Sequence, residues 1–166
     1  MYLFWTIFGF FFIFLSSLVI YNIYEVYPIN KVTSFLNPTN ETVWNRINIT
    51  LIPILIWSFI ELPILGSNPY FLLSVLLNTC ISSAIMYVIR YGYYVINKKD
   101  NKLVDILSIF VGTVLGQVIA YITWLLNVNG GRSLFISIIG LVLYTLFIVG
   151  LKIWPPKSEF FRGIKK

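Results

Sequence analysis

Histidine is absent from the 166 residues, which removes the usual imidazole ligand for zinc, copper and haem and the side chain most used as a general base near neutral pH. A metal site would have to be built from carboxylates and amides, a set that favours hard cations such as magnesium or calcium. Cysteine occurs once, at Cys80 inside an apolar stretch. No disulfide can therefore form within the chain, and the redox compartment is not revealed. Charged residues make up only 11% of the sequence, against about a quarter in soluble domains. A Gly-x-Ser-x-Gly elbow, a paired-aspartate phosphatidyltransferase motif and His-based metal motifs are all missing, so no known reaction centre is spelled out. Repeats, low-complexity tracts and Gly/Ser linkers are missing too, which leaves one compact domain as the expectation.

What is present is apolar sequence, 58% of the chain. A hydrocarbon core of about 30 Å needs roughly 20 helical residues. Stretches of that length fall near 3–24, 47–66, 70–92, 103–126 and 133–153. The expected fold is all-α: a polytopic bundle of five transmembrane helices over residues 1–154, followed by a basic cytoplasmic tail over 155–166. The first stretch, from Leu3 to about Tyr24, is longer than a signal-peptide core and lacks a basic start and a small-residue cleavage site. It reads as a retained helix that also serves for targeting.

Positive charge falls in every second connector. Lys31, Arg46, Lys98, Lys99, Lys102, Lys152, Lys157, Arg162, Lys165 and Lys166 share one side of the expected topology, whereas Arg132 lies in a turn on the other. The positive-inside bias puts the N-terminus outside and the C-terminus in the cytoplasm of a cell-membrane protein. The net charge of +6 is then explained by anionic lipid headgroups at the cytoplasmic face and not by nucleic acid. Tyr21, Tyr24, Tyr27, Tyr87, Tyr91, Tyr93 and Tyr94 would gather at the cytoplasmic interface, and Trp5, Tyr70 and Trp124 at the outer one.

Polar residues within apolar spans report which faces look inward. Ser74, Asn78, Ser82, Met86 and Arg90 form one stripe on the third span. Asp105, Ser108, Gly112, Gly116 and Ala120 form another on the fourth, with Ser133, Ser137 and Gly140 matching on the fifth. Small residues at this spacing let helices approach closely, either within the chain or across a seam with a second copy or a partner subunit. Arg90 and Asp105 lie near the cytoplasmic ends of neighbouring helices and are expected to pair. Glu25, four residues after Tyr21, faces the same region. Glu61, Asn78 and Gln117 are deeper. For Glu61 two placements are open, an inward carboxyl near hydrocarbon or, with Pro63 beside it, one that reaches the outer headgroups.

The most structured polar stretch is Asn37-Pro38-Thr39-Asn40-Glu41-Thr42-Val43-Trp44-Asn45-Arg46-Ile47-Asn48. Asn37 before Pro38, or Thr39 as cap, would start a helix in the cytoplasmic layer, with Glu41 at its positive end. Glu41, Trp44, Asn45 and Asn48 share a face, and Pro53 could kink this surface helix away from the crossing portion. Taken with Tyr24-Glu25 at the end of the first span and Asp105-Ile106 at the start of the fourth, this stretch resembles an uncharacterised family of small bacterial integral membrane proteins, the DUF6512-like domain of unknown function. The Asn-Glu-x-x-Trp portion is the specific part. The resemblance implies an architecture and no activity. Arg46 and Tyr21 stand where the family pattern often has histidine, so any imidazole chemistry in the family is lost or altered here.

Three functions follow as expectations. The first is a polar chamber on the cytoplasmic half, lined by Glu25, Asn40, Glu41, Trp44, Arg46, Asn48, Arg90 and Asp105, that binds or transports a small polar or cationic ligand. The second is a non-catalytic accessory or scaffold subunit whose Ser108, Gly112, Gly116 and Ala120 face packs on a partner or on a second copy. The third, ranked below both, is an enzyme on a lipid headgroup, with Glu25, Glu41 and Asp105 around a divalent cation and Arg46 or Arg90 on a phosphate. No catalytic residue, resident metal or cofactor is assigned.

Overall fold

The computed structural model describes residues 1–26, 48–97, 101–126 and 131–153. Within these the secondary structure is entirely helical. Five helices follow in order: α1 (Tyr2–Val26), α2 (Leu51–Leu65), α3 (Phe71–Asn97), α4 (Lys102–Trp124) and α5 (Gly131–Ile153). Helices α1, α3 and α4 contain segments long and apolar enough to cross a membrane. At 27 residues, α3 continues past Gly92, the expected end of the third span, and measures about 40 Å at 1.5 Å per residue.

A 3-10 turn, Asn48–Thr50, leads into α2. Pro53 falls in the first turn of α2, where its missing N–H forfeits no intrahelical bond. The winding just ahead of α2 thus changes from 3-10 to α, and the surface helix expected before Pro53 falls largely outside the described residues. Pro63 lies inside α2, near its end, and the amide of Gly66 closes the helix on the Leu62 carbonyl at 2.9 Å.

Helix α4 packs on α3 along most of its length and on α1. Helix α2 packs on α1 and α3, so the first four helices close into a ring. Helix α5 lies outside the ring, chiefly against α3. Asn68, in the α2–α3 turn, pins one end of the bundle. Its carboxamide donates to the Tyr2 hydroxyl and to the Trp124 carbonyl, both at 3.3 Å, and its side-chain oxygen accepts from the Tyr70 amide at 2.9 Å. The start of α1, the α2–α3 turn and the end of α4 therefore share one end. Tyr21, Arg90 and Asp105 mark the other.

Apolar contacts stack in three levels between these ends. Leu65, Phe71, Val75, Ala120 and Trp124 pack at the first end, Ile13, Ile54 and Trp57 in the middle, and Tyr21, Ile49, Met86 and Ile109 at the far end. Polar side chains are buried among them, including Ser17, Thr50, Glu61, Ser74, Asn78, Thr79, Ser82, Arg90, Asp105, Thr113 and Gln117. The exterior shows the reverse. Leu3, Phe4, Ile7, Phe8, Phe11, Leu15 and Val19 form an exposed stripe on α1, Phe59 on α2 is 74% exposed, and α5 displays Leu134, Phe135, Ile136, Leu143, Leu146 and Phe147. Soluble monomers rarely expose contiguous apolar surface of this extent, and they bury charge only when it is paired.

Candidate functional site

The charged cluster is built from three helices at the end away from Asn68. Asn101 caps α4, its side-chain oxygen accepting from the Leu103 amide at 2.9 Å, which satisfies one of the helix's free N–H groups. The cap sets Asp105 in the first turn, where the helix dipole favours a carboxylate. One carboxylate oxygen forms an ion pair with the Arg90 guanidinium from the last third of α3. The other accepts a hydrogen bond from the Tyr21 hydroxyl of α1 at 3.0 Å. Arg90 and Asp105 are each only 5% exposed. Lys102 sits with its ammonium 6.0 Å from the Tyr21 ring, at the outer limit of cation–π range. Beneath the pair, Met86 accepts the Thr50 hydroxyl at 3.5 Å through its sulfur, so the 3-10 turn before α2 joins the same level.

Of the eight residues expected to line a chamber, Arg90 and Asp105 are brought into contact. Glu25 lies in the last turn of α1 and Asn48 opens the 3-10 turn, but their side chains fall outside the described residues, as do Asn40, Glu41, Trp44 and Arg46. Tyr21, assigned from sequence to the interface, is buried and holds Asp105. Its four-residue spacing to Glu25 had suggested only a shared face. Tyr70 and Trp124 are likewise buried. They pack into the bundle end, where Trp124 donates its indole N–H to the Ser74 hydroxyl at 2.7 Å.

The small-residue stripe of α4 meets α3. A Cβ on Gly112 would lie 2.9 Å from both Met86 Cγ and the Ser82 carbonyl oxygen, and one on Gly116 would run into Asn78 and Ser82. Ser82 donates to the Gly112 carbonyl at 3.0 Å and to Asn78 Oδ1 at 3.2 Å. Ser108 donates to the Asp105 carbonyl at 2.7 Å, and Ala120 packs beside Trp124. On the fifth helix Ser137 is buried, Gly140 abuts Leu76, and the Tyr144 hydroxyl shares a 2.6 Å hydrogen bond with Ser83 of α3.

Glu61 takes the inward of its two open placements. It is 3% exposed and accepts the indole N–H of Trp57, one turn earlier on α2, at 2.5 Å. The i,i+4 spacing of Trp57 and Glu61 was the available signal. Among the described residues no three His, Cys, Asp or Glu side chains come close enough to hold a metal ion together.

Fold and site together define an all-helical bundle with a polar, partly charged interior, an apolar exterior and three helices fit to cross a membrane. The model of a family of unknown function, DUF6512, matches residues 2–164, and the chain belongs to that family. No curated protein and no solved structure matches it.

Proposed function

We propose that the chain is a multi-pass protein of the cell membrane, N-terminus outside and C-terminus cytoplasmic, that binds a small polar or cationic ligand at the cytoplasmic half of its bundle. The observation that carries this reading is the Arg90–Asp105–Tyr21 cluster, a charged group drawn from α1, α3 and α4 and buried inside a body whose outside is apolar. Burying charge costs several kcal/mol per ion before pairing, so charge kept within an apolar bundle is by default a functional feature. Connector 25–46, which carries Glu25, Asn40, Glu41, Trp44 and Arg46, joins the described bundle at the 3-10 turn whose Ile49 packs on Tyr21 and Met86. Those residues, with Asn48, are the proposed remainder of the site. Anionic lipids would meet the basic connectors on this face.

The test is labelling of single cysteines placed at Glu25, Asn40, Glu41, Trp44, Arg46 and Asn48, and at Lys98 to compare sides, in a Cys80→Ala background. A membrane-impermeant maleimide should react from the cytoplasmic side only, at rates between those of an exposed polar position such as Asn97 and an exposed apolar one such as Phe8. Rates uniformly equal to either reference, or reaction of positions 41 and 98 from opposite sides, would overturn the reading.

The accessory-subunit alternative loses its original surface, because Gly112 and Gly116 are taken up by α3 of the same chain. A partner or second copy would have to use another face, such as the exposed apolar surfaces of α1 or α5. A lipid-headgroup enzyme would have to draw Asp105 and Arg90 out of their ion pair.

A further inference from the structure

The end of the bundle opposite the charged cluster holds a crevice of about 520 Å³, between the start of α1, the α2–α3 turn and the end of α4. Small-molecule sites occupy about 300–1,000 Å³. Tyr2, Ser67, Asn68, Trp124, Leu125 and Leu126 are among its lining residues, and none of the described residues that line it has a charged side chain. The Asn68 carboxamide gives its hydrogens to the Tyr2 hydroxyl and the Trp124 carbonyl, both at 3.3 Å, while its oxygen takes the Tyr70 amide and keeps a second lone pair. The Tyr2 hydroxyl is the acceptor in its bond, so its own hydrogen goes to no described residue. Ser67 is exposed, and its hydroxyl bonds to no described residue either. The Tyr2 and Trp124 rings lie 5.9 Å apart, inclined at 34°, and make part of the wall aromatic.

Two hydroxyls and a carboxamide oxygen, all neutral and all with hydrogen-bonding capacity in hand, thus line one crevice beside aromatic rings. A ligand hydroxyl both donates and accepts, and so can use each of them. A formally charged group would leave water and meet no opposite charge there, which is costly. Leu125 and Leu126 are exposed at the rim, where the crevice runs out onto the apolar exterior of the bundle. An occupant is therefore uncharged and hydroxylated at one end and apolar at the other. We propose that the crevice binds a membrane lipid of the glycosyl diacylglycerol class, its sugar hydroxyls on Tyr2, Ser67 and Asn68 and its acyl chains leaving past Leu125 and Leu126. Amphipathic Tyr and Trp side chains suit this boundary between headgroup and hydrocarbon. The site shares membrane residence with the function proposed above but none of its residues, since the Arg90–Asp105–Tyr21 cluster marks the other end of the bundle.

The experiment is titration of the purified full-length protein, in an amine-oxide detergent that carries no sugar, with monoglucosyl dioleoylglycerol. Dioleoyl phosphatidylglycerol and dioleoyl phosphatidylcholine, with the same tails, are the comparison lipids, and bound lipid is counted by native mass spectrometry. Wild type should bind one glucolipid about tenfold more tightly than either phospholipid, equivalent to about 1.4 kcal/mol. Tyr2→Phe combined with Ser67→Ala should erase that preference, and Gly92→Leu, near the far end of α3, should keep it. Ser67→Ala alone, at an exposed turn position, should weaken glucolipid binding and leave phospholipid binding unchanged, which decides the matter even where Tyr2→Phe disturbs Asn68. Equal affinity for the three lipids in wild type, or an undiminished preference in both variants, overturns the proposal. Displacement of the lipid by free glucose would mean a site for a soluble sugar and overturns the lipid assignment. Because the protein is purified, the result is independent of its orientation, so failure of the cysteine-labelling test and failure of this one are distinguishable.

Discussion

The hydroxyl of Ser82 reaches the main-chain carbonyl of Gly112 at 3.0 Å, a contact that holds two helix backbones as close as side-chain-free packing permits. Gly112 has no room for a Cβ because Met86 and that same Ser82 backbone occupy it. Close approach of this kind is what small residues supply where the hydrophobic effect offers little drive between helices in lipid.

Replacing Gly112 by Leu should force α3 and α4 apart. Overpacking of an interior costs typically about 1–3 kcal/mol, and here the obstacle is backbone, which cannot rotate away. The expected outcome is a lowered midpoint of unfolding in detergent. Gly92→Leu, where a Cβ meets nothing within 4 Å, should be near neutral.

Arg90 and Asp105 should behave as a unit. Removing one partner of a buried pair costs about 3–5 kcal/mol because the other charge is stranded, whereas replacing both by apolar residues is often neutral. Arg90→Met and Asp105→Leu should each destabilise strongly. The double variant should recover most of the loss, and a double-mutant cycle of unfolding free energies measures the coupling.

Tyr21→Phe removes the hydrogen bond to Asp105 while keeping the ring in its contact with Ile49, Met86 and Ile109. Hydrogen bonds to charged groups contribute about 1.5–3 kcal/mol, so an intermediate loss is expected, smaller than that of Asp105→Leu. In the Asp105→Leu background Tyr21→Phe should add little.

Tyr144→Phe breaks the bond from α5 to Ser83. Interhelical hydrogen bonds in a membrane protein average about 0.6 kcal/mol, so unfolding should barely move. A change above about 1.7 kcal/mol, the largest such value, would mean that Tyr144 does more than this one contact.

Much of the architecture was legible in apolar length alone, because a helix that must satisfy its own backbone has few alternatives. The recurrence of Ser74, Asn78, Ser82, Met86 and Arg90 identified the buried face of α3, since each of these side chains is buried. Spacing along one helix does not tell which neighbour fills the groove opposite. That is why Tyr21 and Trp124 both read from sequence as interface residues, when Tyr21 binds Asp105 and Trp124 binds Ser74. Amphipathic aromatics satisfy both environments, and only the third dimension separates them. Glu61 was ambiguous for a related reason: its partner Trp57 sits on the same helix, where the four-residue spacing is common and usually silent.

The ring formed by α1 to α4 closes without α5, whose main neighbour is α3. The four-helix ring therefore holds its own contacts without leaning on α5. A released chain ending at Leu126 should keep the contact of Tyr2 with Trp124 and the pairing of Asp105 with Arg90.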